Sequence, residues 1–310
     1  MSLLKLKPAC KDYIWGGTAL ADKYKKSDSG SKIAETWELS CYPDSPSMIE
    51  NGAYAGKPLS EYIQAEGKDV LGKNCERFDS FPVLIKFIDA ADDLSIQVHP
   101  DNDYALKHEN QYGKTEMWYI VEAADGAGIY YGLNRSITKA ELRKRIADNT
   151  VLEVLNFVPV KAGDIFFIEA GTIHSICKGI VTVEIQQSSD LTYRIYDYGR
   201  KDKDGKAREL HIDKALEVAK LTPLKREHDF GSHMAKCDHF TADKLTVSGE
   251  YSGFADEQSF IHLLFLDGEG MLTSSDEELS FRSGDSIFIS AGTGSFTIHG
   301  NAEVILTYES

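Results

Sequence analysis

One phrase occurs twice in this chain, and it limits what the chain can fold into. The segment VKAGDIFFIEAGTIHSI at 160–176 lines up with FRSGDSIFISAGTGSFTI at 281–298. Both carry Gly-Asp, an apolar run and Ala-Gly-Thr at equal offsets, so that Gly163 matches Gly284, Asp164 matches Asp285 and Gly171 matches Gly292. A short apolar run bounded by Gly turns is the pattern of a hairpin strand, and its return far along the chain predicts two related β-domains. The copies differ at one chemically important offset. His174 in the first corresponds to Ser295 in the second.

The remaining pattern agrees with a β-rich chain. Runs rich in Val, Ile, Phe and Tyr, bounded by Asp, Gly or Ser, predict strands over Pro82–Ile88, Leu94–His99, Met117–Glu122, Gly128–Tyr131, Ile165–Glu169 and Val181–Gln187. Within the last of these Val181, Val183 and Ile185 share one face, and Thr182, Glu184 and Gln186 share the other. Many short strands with Gly turns predict an antiparallel sandwich or barrel. Helices are few: Thr138-Lys-Ala-Glu141 is a capping box that opens a predicted helix over Thr138–Asp148, and Asp213–Lys220 and Leu59–Ala65 are further short candidates. The charged, Gly-containing loop Lys201–Arg208 is expected to mark a boundary between two parts of the chain.

With 310 residues, 42% of them hydrophobic, the chain can bury a substantial core and is long for one domain. No apolar run approaches the length of a membrane span, and the start, MSLLKLKPACKDYIWGG, lacks a small-residue cleavage site after a sustained apolar stretch. The expectation is a soluble cytoplasmic protein. A formal net charge of −15 argues against nucleic acid or an anionic membrane as partner. It leaves room for an anionic small molecule, because charges beyond about 8 Å are largely screened at ionic strength near 0.15 M. The five cysteines (Cys10, Cys41, Cys75, Cys177, Cys237) are dispersed with no C-x-x-C, which suggests reduced core thiols. Cys177, three residues after His174, reads as a small buried residue rather than a ligand or nucleophile.

Four residues carry the chemistry: Gln97, His99, Glu116 and His174. Gln97 and His99 are two apart on a predicted strand, so their side chains share a face, and Pro100 then ends ladder pairing. Glu116 stands at the entrance of the MWYIV strand, and His174 on the return of a hairpin whose Gly171 permits the turn. Imidazole, carboxylate and amide groups converging from several strands are what a catalytic divalent metal needs, and they leave open positions for a substrate.

The hairpin also resembles the second cupin motif, in which Gly, five residues, Pro, one residue, Gly, two residues and His follow in order. Gly163, Gly171 and His174 hold those offsets, with Glu169 at the Pro. The first cupin motif has His-x-His with a Glu three or four residues on. Here Gln97 stands at the first His, and the Glu arrives only at Glu116, after DNDYALKHENQYGKT. That departure is the pattern of type I mannose-6-phosphate isomerases, which the chain resembles over most of its length. The matching segments are DYIWGG (12–17), AETWELS (34–40), FPVLIKFIDAADDLSIQVHPD (81–101), GKTEMWYI (113–120), GDIFFIEAGTIHSI (163–176) and VEIQQSSDLTYRIYDYGR (183–200). The short chain and the TYRIYDYGR segment resemble the short bacterial subgroup.

The resemblance implies a mainly β fold of two cupin-like antiparallel barrels (jelly rolls) with a few short helices, only the first barrel carrying a metal. It implies a catalytic cupin domain over 1–200 with small helical insertions, a linker and helix over 201–230, and a degenerate metal-free barrel over 231–310. It further implies one zinc ion per chain held by Gln97, His99, Glu116 and His174, with Arg194 as the catalytic arginine. Gln97 is the weakest ligand of the four, since a neutral amide can equally sit behind the direct ligands.

The family reaction interconverts mannose 6-phosphate and fructose 6-phosphate by moving a proton between C2 and C1 through a cis-enediol. Arg194 could stabilise the developing charge without giving up its proton; its alternative role is an ion pair with Asp190 or Asp197. Glu184 and Lys114 are both candidates for the base. Ser95 faces the same side of its strand as Gln97 and is a hydroxyl candidate for the phosphate. Lys86 and Lys114 could supply charge there, a solvent-facing lysine being the alternative for Lys86, and Trp15 could form a wall of the pocket or plain core. Two other functions compete: an iron oxygenase using two His and a carboxylate, and a non-catalytic sugar-phosphate-binding cupin.

Overall fold

The computed structural model describes residues 3–28, 30–201, 205–224, 228–275 and 277–310. It is mainly β, with a few short helices. Two contact-dense units are present: Met1–Lys11, Thr18–Phe87 and Phe230–Ser310 form the first, and Asp12–Gly17 and Ile88–Asp229 form the second. This partition is discontinuous along the chain. The cause is a long-range pairing: Leu3–Leu6 lie antiparallel to Ser286–Ile289 and bury Leu3, Leu4 and Leu6. Residues 202–204 of the charged loop lie outside the described residues.

The first unit is dominated by an eight-stranded sheet built on three long strands, Phe240–Ala255, Ile261–Ser274 and Gly294–Tyr308. Alternate residues of these strands, among them Leu263, Phe265, Phe296 and Val304, fill one apolar core with Ile287 and Phe281. The Phe265 and Phe281 rings stack with centroids 4.0 Å apart. The helix predicted over Leu59–Ala65 is found at Leu59–Glu66. His262, the lone imidazole of the strand Ile261–Ser274, is fully buried, and its Nε2 lies 2.8 Å from the Ser286 hydroxyl.

The second unit holds a five-stranded antiparallel sheet in the order Tyr193–Tyr196, Ile96–Val98, His174–Ile176, Gly128–Leu133, Leu155–Pro159. A further run of strands pairs Ile165–Ile168 with Glu116–Ala123 and that strand with Ile180–Gln187. Helices Lys139–Ala147 and Ile212–Val218 cover the five-stranded sheet through Leu142, Ile146 and Leu216, packed in one cluster with Ile96 and Val98. Thr138 caps the first of them as its sequence predicts, its side chain accepting from the Glu141 N–H. No helix among the described residues is long and apolar enough to cross a membrane.

Two local features go beyond what the sequence pattern states. Every residue of Ile180–Gln187 is buried, so the Thr182, Glu184 and Gln186 face is polar without being solvated. The spacer 102–115 contains a helix, Asn102–His108, capped by Asp101, which accepts from the Tyr104 N–H at 2.9 Å. This excursion closes tightly: the Lys114 N–H donates to the Pro100 carbonyl at 2.9 Å, and a Cβ on Gly113 would meet the Asp101 backbone at 2.4 Å. Chain that departs after His99 therefore returns beside it in time for Lys114 and Glu116.

The repeated phrase folds the same way in both places. Asp164 Oδ2 accepts from the Lys161 N–H at 2.9 Å, and Asp285 Oδ2 accepts from the Arg282 N–H at 2.9 Å. Gly163 and Gly284 adopt φ of +91° and +89°, a region that favours glycine. The Asp164 carbonyl accepts from Ile120 N–H and the Asp285 carbonyl from Phe265 N–H, each at 2.9 Å.

Candidate metal centre

Strand register assembles the centre. Arg194, Gln97, His174 and Tyr131 are successive partners across four strands of the five-stranded sheet. Directly opposed residues project from the same face, so these side chains form one row. His99, two residues after Gln97, joins that face. On the other strands Glu116 opposes Gln186 and Trp118 opposes Glu184.

The two sets meet in the interior. His174 Nε2 lies 3.4 Å from Glu116 Oε1, and His99 Nε2 lies 3.7 Å from Glu116 Oε2. One donor atom from each of the three falls within 4.8 Å of the others, and all three residues are buried. The Gln97 amide nitrogen is 3.4 Å from His174 Nε2, and a half-turn of the amide would bring its carbonyl oxygen to that point.

Both imidazoles are held for ligation. His99 Nδ1–H donates to the Leu191 carbonyl at 2.7 Å, and His174 Nδ1–H donates to the Thr172 carbonyl at 2.9 Å. With Nδ1 carrying the proton, each Nε2 presents its lone pair toward Glu116, the tautomer that a metal ion requires. Burial pushes His174 down to about 4, so it is neutral at neutral pH. Two neutral imidazoles and a carboxylate, gathered in the interior, fit a divalent cation such as zinc.

Groups able to hold a proton lie against this trio. Lys114 Nζ is 2.9 Å from Glu116 Oε2 and 3.4 Å from Glu184 Oε1, with both Lys114 and Glu184 buried. Trp118 Nε1 donates to Glu184 Oε2 at 3.0 Å and fixes that carboxylate. Arg194 is half-buried; burial, then the nearby Arg208, draws its guanidinium below the ordinary arginine value. It donates through Nε to the buried Ser95 hydroxyl at 3.1 Å and through Nη1 to the Glu209 carbonyl at 2.9 Å. Asp197, one candidate ion-pair partner for Arg194, is instead held by Arg200 and Arg208.

The remaining sequence candidates are spread over both units. Lys86 belongs to the first unit, is buried, sits 3.4 Å from Glu35 Oε2 and lies over the Trp37 ring at 5.0 Å. It does not face solvent. Trp15 is buried in the second unit beside Tyr13, and its carbonyl accepts from the Ala91 N–H at 3.0 Å. Cys177 is buried, which pushes its thiol up to about 12 and keeps it out of nucleophilic chemistry. Tyr131 and Trp118 join the site without being sequence candidates. Trp118 carries a legible signal, two residues beyond Glu116 on one strand, whereas the carbonyls of Thr172 and Leu191 carry none.

Comparison with known proteins places this geometry in a family. The model of the phosphomannose isomerase type I catalytic domain matches residues 3–122, and that of the mannose-6-phosphate isomerase cupin domain matches 231–309. A mannose-6-phosphate isomerase of Bacillus subtilis is 38% identical over 98% of each chain, and one of Streptococcus mutans is 37% identical over 96% of this chain and 95% of its own. A crystal structure of the mannose 6-phosphate isomerase from Bacillus subtilis superposes with a TM-score of 0.91 at 35% identity over 99% of each chain. A phosphomannose isomerase mutant from Salmonella typhimurium shares the fold, with a TM-score of 0.81 at 19% identity. Full-length identity of this degree, on a chain whose buried His, Glu and His converge, makes it a member of the type I mannose-6-phosphate isomerase family of enzymes.

Proposed function

We propose that this protein is a zinc-dependent aldose–ketose isomerase that interconverts mannose 6-phosphate and fructose 6-phosphate through a cis-enediol. The observation that carries the reading is the His99–Glu116–His174 trio, with both ring orientations fixed by backbone carbonyls and a buried Lys–Glu pair alongside. His99, Glu116 and His174 would hold one zinc ion per chain, and Gln97 is its fourth ligand or the amide behind them. When bound, the ion supplies positive charge that favours an oxygen bearing developing negative charge.

The chain's own residues do the rest. Isomerisation removes the C2 proton of the aldose and returns a proton to C1, while one hydroxyl proton passes from O2 to O1. Lys114 and Glu184, 3.4 Å apart, share one proton between two groups, so the pair can accept at one carbon and donate at the other. Arg194 stays charged throughout and offers fixed donors to the enediolate oxygens. Ser95 and Lys86 are assigned to the phosphate and Trp15 to the wall of the sugar pocket. The burial of both polar groups supports a role for them beyond solubility.

At the level of architecture, the proposal is two cupin-like barrels: a metal-bearing domain over 1–200, a linker and helix over 201–230 and a metal-free barrel over 231–310. The cupin-domain match at 231–309 supports the last of these. A cytoplasmic location and a partner list limited to the sugar phosphate complete the reading.

The deciding experiment is a coupled assay of fructose 6-phosphate formation by metal-stripped and zinc-loaded protein. Turnover that requires zinc is the expected result. Absence of turnover in zinc-loaded protein that still binds mannose 6-phosphate would favour the non-catalytic cupin, and oxygen consumption with iron would favour the oxygenase.

A further inference from the structure

The first unit carries a concavity that the isomerase reading does not use. A cavity of about 380 Å³ is lined by residues of the paired strands Phe240–Ala255 and Gly294–Tyr308 together with Asp256, Ser259 and Glu309. That volume lies within the range of about 300–1,000 Å³ typical of small-molecule sites. Tyr251, Phe296 and Tyr308 line it, and Phe254, 66% exposed, stands among its lining as the most exposed large apolar side chain of the described residues. The sequence makes room for this aromatic wall. A Cβ at Gly253 would come within 2.2 Å of Phe296 Cζ, so the Phe296 ring lies against backbone that only glycine provides.

The polar lining has one character. Asp243, Asp256 and Glu309 contribute carboxylates, and no lysine, arginine or histidine is among the described residues that line the cavity. The lining therefore offers no cation to hold the phosphate of a phosphorylated sugar. A cation trap is equally disfavoured, because the acids are already compensated: His233 Nδ1 lies 2.7 Å from Asp243 Oδ1, Arg77 pairs with Glu309, and the Gln258 N–H donates to Asp256 Oδ1 at 2.8 Å. What is left is a set of hydrogen-bond acceptors beside aromatic faces. Asp243 and Asp256 each keep a second oxygen able to accept from a hydroxyl, whereas Glu309 is buried. Aromatic faces are electron-rich and attract the weakly positive C–H face of an apolar ring.

We propose that this cavity binds a neutral sugar, an unphosphorylated hexose or hexoside, with its ring face against the half-buried Tyr251 and its hydroxyls donated to Asp243. The site is separate in residues from the metal centre and does not depend on the isomerase reading.

The test is titration of zinc-loaded, full-length protein with methyl α-mannopyranoside and methyl α-glucopyranoside, read by saturation-transfer NMR and calorimetry. These blocked sugars cannot open and so cannot be isomerised. Binding is expected to persist under saturating mannose 6-phosphate and in His174→Ala. It is expected to weaken at least tenfold in Tyr251→Ala and severalfold in Phe254→Ala, with kcat/KM unchanged in both. Phe254 is exposed, so its replacement leaves folding intact and keeps the test valid if Tyr251→Ala does not fold. The inference is overturned if no hexoside binds, if mannose 6-phosphate displaces it, if both variants bind as the parent does, or if only a cationic probe such as choline binds. A failure of isomerase activity would leave this titration unaffected.

Discussion

Gln97 and His174 are antiparallel strand partners, and the amide of one lies 3.4 Å from the imidazole of the other. Their proximity is a property of register, not of a loop. A one-residue slip of either strand would turn its side chain to the opposite face and dismantle the row that also holds Arg194 and Tyr131. The centre is therefore as rigid as the sheet that carries it.

Ligation and turnover should separate by mutation. His174→Ala is expected to retain no stoichiometric metal and no activity. Arg194→Ala is expected to retain metal and lose turnover, since its guanidinium contacts Ser95 and the Glu209 carbonyl rather than the trio. Metal analysis beside an isomerase assay checks both. Full activity in metal-free protein would end the zinc reading.

Glu184→Gln tests the proton pair. The amide keeps the shape and can still receive the Trp118 N–H, but it cannot take a proton. Loss of one acid–base group should lower kcat by roughly 10²- to 10⁴-fold with metal content unchanged. Solvent-exchange of the C2 proton, measured by NMR, should slow in parallel. An unchanged exchange rate would remove Glu184 from the mechanism.

Metal removal should also cost stability. A ligand that binds only the folded state stabilises it by about 2.7 kcal/mol at a free concentration of 100 times its Kd. Chelation is thus expected to lower Tm, and zinc to restore it, because Glu116 is left buried among neutral rings with Lys114 as its nearest cation. The same scans on His174→Ala should show no response to zinc.

His262 gives a pH dependence independent of the metal. Burial pushes its imidazole down to about 3 from 6.5. The unfolded chain takes up that proton first, so the contribution of the neutral ring is complete above about pH 6.5 and is lost as pH falls toward 3, by at most about 1.4 kcal/mol per pH unit. His262→Gln should show a shallower acid limb in urea midpoints measured from about pH 7 to about pH 4. Equal slopes in the two proteins would place the acid sensitivity elsewhere.

Much of this was legible in residue type and period. Same-face spacing put Gln97 with His99, glycine turns located the hairpin of His174, and a capping box marked the helix at Lys139–Ala147. The helix Asn102–His108 was not legible, since its seven residues are too few for a periodic signal and only the Asp101 cap announces it. Nor could local pattern foresee that Leu3–Leu6 pair with Ser286–Ile289, or that Tyr131 extends the row of Arg194, Gln97 and His174. Pairing partners distant in sequence leave no trace in either strand alone. The buried polar face of Ile180–Gln187 misleads for a related reason: alternation reports two different faces, not which of them meets water.

The Gly-Asp hairpin closes on its own backbone in both places where it occurs, Asp164 on Lys161 and Asp285 on Arg282. Nothing in that closure calls on the residue three positions past the second glycine, His174 in one copy and Ser295 in the other. The scaffold thus treats this position as a blank socket. Reactivity can be installed there or withdrawn without renegotiating the architecture.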